Sequence, residues 1–237
     1  MTRPPIVVLH GALGSAAQMQ PMADALSAIG EVHCLELPGH GDTQLPDAAT
    51  FSMATFANAL RDAITLRGWH QPLVFGYSMG GYVALLLESL SPGTLGGIVT
   101  LGTKFEWTPD VAAGAAARLD AAVLQSKAPA FAEQLRVRHA GAGGWEQMMA
   151  RTAALLVALG ATPLLTAETL ASVQIPLRVA AGSRDDTLAE GEAGRLAALL
   201  PNATCTPLPD VPHPIERVPT ALVVDLVGGL LRDLSRS

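Results

Sequence analysis

The stretch Leu73-Val74-Phe75-Gly76-Tyr77-Ser78-Met79-Gly80-Gly81-Tyr82-Val83-Ala84-Leu85-Leu86-Leu87 constrains this chain more than any other. It begins as a short apolar run with strand character and ends as a longer apolar run with helix character. The backbone must therefore turn sharply at Ser78. A side chain on either flank of such a turn would collide with neighbouring backbone, and Gly76 and Gly80 are both glycine. The turn lifts one hydroxyl clear of the strand and aims a helix N-terminus at it, where free amides favour negative charge. Ser78 is then either a helix cap or a nucleophile, and a nucleophile needs a base held by a third group.

The rest of the chain repeats the same alternation. Short apolar runs at 6–10, 32–37, 73–77, 97–101, 177–181 and 204–208 are strand candidates. Helical patterns fall at 16–29, 52–67, 79–89, 190–199 and 220–234. Strands alternating with helices predict a mostly parallel sheet covered on both faces, with ligands at the carboxyl ends of its strands. The stretch 104–173 breaks the pattern. It holds three helical segments, 110–125, 129–139 and 145–159, punctuated by prolines and glycines, and no strand. It reads as an insertion that covers the site, so the expected division is a core of 1–103 and 174–237 with a helical cap of 104–173.

Composition narrows the partners. Of 237 residues, 49% are hydrophobic and 15% charged, which predicts a large buried core. The net charge is −6 and the 15 lysines and arginines are scattered, which argues against a nucleic-acid partner. The one local basic cluster, Arg136-Val137-Arg138-His139, reads as a solvated helix face. No apolar stretch has the length of a membrane span, and the opening residues do not read as a signal peptide. Cys34 and Cys205 read as free thiols in a reducing cytosol. No HExxH or other metal-ligand spacing occurs, and the glycines around Ser78 lack a phosphate-loop lysine, so neither a metal nor a cofactor is expected.

A base and an acid for Ser78 stand where the strand order requires them. Pro209-Asp210-Val211-Pro212-His213-Pro214 follows the last strand candidate and supplies His213. Ala181-Gly182-Ser183-Arg184-Asp185-Asp186 follows the preceding one and supplies two carboxylates. The order serine, aspartate, histidine suits a nucleophile on a strand-to-helix elbow. Of the other histidines, His10 and His40 are read as orienting loops, and His33, His70 and His139 as structural or exposed.

Five motifs in this order resemble the α/β-hydrolase superfamily over nearly the whole chain. They are His10-Gly11, Leu37-Pro38-Gly39-His40-Gly41, Gly76-Tyr77-Ser78-Met79-Gly80-Gly81, Gly182-Ser183-Arg184-Asp185, and His213 followed by Glu216 and Pro219. The resemblance implies a Ser78, Asp185, His213 triad, with Asp185 selected over Asp186 by the G-x-x-D turn. It also implies an oxyanion hole from the backbone amides of Ala12 and Met79. Members of the superfamily usually begin with an extra strand pair, which is missing here. Six parallel strands are therefore expected, with 32–37 at an edge guarded by Glu31 and Glu36, and a monomer or weak homodimer.

A serine at the elbow points to acyl transfer on a small-molecule substrate. The insertion, with Phe105, Trp107, Phe131, Trp145, Met148 and Met149, predicts an apolar pocket roof, and most of its apolar positions read as packing. Tyr77, Phe105 and Trp107 are the expected substrate contacts. The predicted activity is hydrolysis of a small to medium, largely apolar ester. LPGHG and GYSxGG also resemble the lyase of menaquinone biosynthesis, in which an arginine usually follows GYSxGG. Here that residue is Tyr82, while Arg118, Arg136, Arg138 and Arg151 lie in the insertion. The same triad also suits a carbon–carbon bond hydrolase, and the same fold suits a non-catalytic small-ligand receptor.

Overall fold

A computed structural model describes residues 3–235. The terminal residues 1–2 and 236–237 of the predicted core lie outside them. In chain order the elements are β1 (Ile6–Leu9), α1 (Gln20–Leu26), β2 (Val32–Leu35), α2 (Met53–Leu66), β3 (Leu73–Tyr77), α3 (Met79–Leu90) and β4 (Gly97–Leu101). There follow α4 (Pro109–Ala117), α5 (Ala121–Lys127), α6 (Pro129–Arg138), α7 (Trp145–Ala161), α8 (Ala167–Ala171), β5 (Leu177–Arg184), α9 (Glu192–Leu199), β6 (Ala203–Pro212) and α10 (Thr220–Leu234). The six strands form one wholly parallel sheet in the order β2-β1-β3-β4-β5-β6. The order reverses between β1 and β3, the switch point where α/β sheets open a crevice.

Side-chain alternation divides the strands between two cores. Leu73, Phe75 and Tyr77 of β3 face α1 and α10, packing with Met22, Leu26, Val223 and Val227. Val74 faces the other side with α2, α3 and α9. On α2 the buried residues Met53, Phe56, Ala57, Leu60 and Ile64 recur at helical spacing, and Ser52 Oγ caps the helix by accepting the Thr55 amide at 3.2 Å. Helix α3 is buried on every side from Met79 to Glu88, which explains why its sequence has no polar face. This central helix is thus held rigidly beneath Ser78.

Several elements differ from the sequence expectation. The single helix over 110–125 is two helices, because Asp120 leaves helical backbone and its carboxylate caps α5 through the Val123 amide at 3.0 Å. The helix over 16–29 shrinks to Gln20–Leu26 behind a 3₁₀ turn at Ala17–Met19. Strands β5 and β6 run further than their apolar cores, to Arg184 and Pro212. Their last pair is Arg184 with Pro212 across a register shift, so the next residues on the two strands are Asp185 and His213. Strand β2 is an edge, as expected, but Glu36 does not guard it. That carboxylate turns inward to accept the Ala16 amide at 3.0 Å and lies 3.0 Å from His10 Nε2.

Candidate active site

Ser78 sits between β3 and α3 at φ 52°, ψ −117°, a conformation that costs a β-carbon-bearing residue about 1–3 kcal/mol. Its neighbours hold it there. The Ser78 amide donates to Leu101 O at 2.8 Å, and Ser78 O accepts Gly81 N at 3.1 Å and Thr103 Oγ1 at 3.0 Å. A Cβ on Gly76 would lie 2.5 Å from Gly81 Cα, and one on Gly80 2.7 Å from His10 O. The glycines let β3, α3 and the β1 loop close around the bend.

Asp185 and His213 meet at the adjacent strand ends. His213 Nδ1 is 2.7 Å from Asp185 Oδ2, with the carboxylate side chain 2% exposed and the imidazole 20% exposed. A carboxylate only accepts, so Nδ1 carries the hydrogen and Nε2 is left free to accept one. Thr187, which the sequence reading missed, completes the pair. Its amide and hydroxyl donate to Asp185 Oδ1 at 3.0 and 2.6 Å, and the hydroxyl oxygen lies 3.0 Å from His213 Nδ1. Burial raises the Asp185 acid value, but the bond and charge of His213 and the two bonds from Thr187 outweigh it, and the carboxyl ends below its usual range. Gly102 lies against both groups at φ 63°, where a Cβ would fall 2.8 Å from Asp185 Oδ2 and 3.1 Å from His213 Nδ1. Asp186 makes no such contact with His213 and instead lines the cavity.

The Gly11–Ala12 peptide is oriented by its oxygen. Gly11 O accepts His10 Nδ1 at 2.8 Å and Gly14 N at 3.1 Å. A planar trans peptide directs its N–H away from its C=O, so the Ala12 N–H is turned from those anchors. No described residue accepts it. Met79 is the first residue of α3, whose amide has no acceptor within the helix. Ala12, Met79, Ser78 and His213 all line one cavity of about 520 Å³.

The other walls of that cavity come mostly from the insertion. Trp107, Val111, Leu119 and Leu156 face it, with Leu13, Met53 and Leu188 from the core. Of the three expected substrate contacts, only Trp107 lines it. Its indole N–H is buried with no partner among the described residues. Phe105 is buried in the core, because fully buried Glu192 collects the amides of Phe105 and Glu106 at 2.9 and 3.0 Å and Lys104 Nζ at 2.9 Å. Tyr77 lies on the opposite face of β3 by strand alternation. Its ring packs 5.2 Å from the His213 ring, and its hydroxyl donates to His213 O at 2.9 Å. Burial first, and then the Asp185 charge, pushes its acid value up.

The arginines of the insertion also separate. Arg118 lines the cavity, Arg136 pairs with Glu133 on the surface, and Arg151 donates to Pro46 O. Arg138 and His139 are not on a solvated face: the Arg138 side chain is 16% exposed and His139 is wholly buried. Tyr82 reaches the cavity wall, and its hydroxyl accepts the amides of Leu164 and Leu165 at 3.2 and 3.1 Å, fastening the insertion to α3.

Known proteins share this fold. A family model described as the alpha/beta hydrolase fold matches residues 4–152. The biotin biosynthesis bifunctional protein BioHC of Cellvibrio japonicus is 31% identical over 104 residues, 44% of this chain and 20% of that protein. The 2-succinyl-6-hydroxy-2,4-cyclohexadiene-1-carboxylate synthase of Enterobacter sp. (strain 638) is 32% identical over 101 residues, 42% of this chain and 37% of that one. The alignments thus span well under half the length of these curated relatives. Among solved structures, a thermophilic esterase from Thermogutta terrifontis superposes with a TM-score of 0.76 at 20% identity, over 98% of this chain and 91% of the other. Among the described residues no helix is long and apolar enough to cross a membrane.

Proposed function

Because this chain belongs to the α/β-hydrolase fold family, we propose that it is a serine hydrolase of small to medium, largely apolar carboxylic esters. The observation that carries this reading is the Asp185–His213 pair at 2.7 Å, on the rim of the cavity that also exposes Ser78. Ser78 Oγ attacks the ester carbonyl while His213 Nε2 takes its proton. Asp185 steadies the imidazolium that forms, and Thr187 keeps the carboxylate ionised and oriented. The Ala12 and Met79 amides receive the developing oxyanion. Collapse expels the alcohol with the proton from His213 and leaves an acyl-serine. Water, deprotonated by His213, then attacks the acyl carbon, and the acid leaves with Ser78 restored.

The cap of 104–173 supplies the specificity. Its walls are mainly apolar, with Lys104, Asp110 and Arg118 as its charged side chains at the cavity. The cavity volume of about 520 Å³ suits a small to medium ester. The test is hydrolysis of p-nitrophenyl esters of rising acyl length by the wild-type chain and by Ser78→Ala. The expected result is turnover that falls once the acyl chain outgrows the cavity and that disappears in the variant. Equal turnover by Ser78→Ala would refute the reading.

One observation favours a second reading, a carbon–carbon lyase or hydrolase. Arg118 lines the cavity, makes no ion pair with a described residue, and offers an anionic substrate the partner that Tyr82 lacks. A relative named as a 2-succinyl-6-hydroxy-2,4-cyclohexadiene-1-carboxylate synthase fits that reading. A Ser78 that is reactive towards phosphonates but silent on every neutral ester would move the assignment there.

A further inference from the structure

The cap does more than roof the cavity. Leu13, the residue after Ala12, has φ 58°, a conformation that a branched side chain leaves unless it is held. Its carbonyl accepts Arg138 Nη1 at 2.9 Å and His139 Nε2 at 3.0 Å, both at the end of α6. The two bonds use both lone pairs of that oxygen. The His139 tautomer is fixed from the other side, because the Gly41 amide donates to Nδ1 at 3.0 Å and leaves the hydrogen on Nε2.

We propose that Arg138 and His139 are positioning residues that hold the Ala12 amide in place as an oxyanion donor. The inference rests on the hydrolase reading given above. From the core, His10 and Gly14 fix the oxygen of the Gly11–Ala12 peptide. From the cap, Arg138 and His139 fix the oxygen of the next residue but one. The Leu13 oxygen and the Gly14 N–H belong to one planar peptide, so the cap's grip on that oxygen also steadies the Gly14 bond to Gly11 O, and through it the direction of the Ala12 N–H. Arg138 also reaches the histidine loop, with Nη2 3.6 Å from Glu216, which accepts Gln18 Nε2 at 2.6 Å. One cap side chain thus ties the loop of Ala12 to the loop of His213.

A merely structural contact and a positioning contact predict different kinetics. Loss of cap docking alone opens the cavity and raises KM. Loss of oxyanion alignment acts in the transition state and lowers kcat. The experiment measures kcat and KM on p-nitrophenyl acetate for the full chain, His139→Leu, Arg138→Met and His139→Gln. A hole donor removed outright costs about 10²–10³ in kcat, so misaiming one should cost about 10- to 100-fold in His139→Leu and Arg138→Met. KM should stay within about threefold of wild type, as expected when only transition-state contacts are lost. His139→Gln keeps one donor and one acceptor and should recover most of kcat. Folded apolar variants with wild-type kcat, or with the whole loss in KM, would overturn the proposal. If His139→Leu does not fold, Arg138→Met decides by the same criterion. A wild-type chain with neither turnover nor a phosphonate adduct on Ser78 would overturn the hydrolase reading and this inference together. Wild-type turnover with unaffected variants would overturn this inference alone.

Discussion

The core and the insertion hold their parts of the site by different physics. In the core, position comes from the backbone. Ser78 is fixed by three hydrogen bonds through its own peptide groups, and the Asp185–His213 pair by two parallel strands that end together. In the insertion, position comes from a few side chains that bridge it and the core. Glu192 receives the first residues of the insertion, Tyr82 fastens residues 164 and 165, and Arg138 and His139 fasten α6. A site held by backbone fails all at once, whereas a site held by side chains loosens bond by bond. Chemistry should therefore be most sensitive to core changes and less so to the α6 seam, while changes elsewhere along the insertion should act on substrate range and stability.

The largest expected effect lies in the core. Asp185→Asn should lower kcat by about 10⁴, since an amide in that place favours the wrong histidine tautomer. Asp186→Asn, one residue on, should change kcat less than about threefold, because its side chain meets the cavity and not His213. The reverse outcome would break the comparison at its strongest point.

Next comes the anchor of the insertion. Glu192 is fully buried and pairs with Lys104. Glu192→Gln leaves that ammonium without its partner and should lower unfolding stability by about 3 kcal/mol, as for other broken buried pairs. Urea unfolding checks this, and KM should rise while kcat holds. A fall confined to kcat would mean that the insertion serves the chemistry directly at this point.

A smaller effect should follow at Thr187. Thr187→Val removes the hydroxyl bond to Asp185 and should lower kcat about tenfold, the lower range for a hydrogen bond to a charged group. The acid value of Asp185 should rise, which nuclear magnetic resonance of its carboxyl carbon can follow.

The smallest effect is on pH stability, and it belongs to the seam between the two regions. His40 and His139 are buried, and burial first of all holds both below the ordinary histidine value of 6.5. The unfolded chain therefore binds more protons than the folded one as pH falls through that value. Their contribution is complete above it and is lost towards the lower folded values. Tm should accordingly drop between about pH 7.5 and 5.5, and the drop should shrink in His139→Gln. A Tm that rises over that range would contradict the burial argument.

Legibility follows the same division. Groups placed by backbone are written locally: the glycines around Ser78, and the turns after two strands that bring Asp185 and His213 together. The parallel six-stranded sheet was legible for the same reason, because each strand is a short apolar run with its own punctuation. Thr187 left only a faint signal, a threonine two residues after an aspartate, the spacing of an Asx turn. Arg138 and His139 left none, since Leu13 lies 125 and 126 residues away. They read as a charged helix face, which is how such residues look when their partners are unknown. Phe105 and Tyr77 were misread as pocket residues because aromatic character does not reveal which face of a strand or turn it leaves. The break at Asp120 was hidden in alanine-rich sequence that favours helix on both sides.

Every step of the proposed reaction turns on Ser78 as the nucleophile. The most direct test is to treat the full chain with a fluorophosphonate and locate the adduct by peptide mass spectrometry. One adduct on Ser78 is predicted, absent in Ser78→Ala and formed far more slowly in Asp185→Asn. No adduct, or one carried by any other residue, would contradict it.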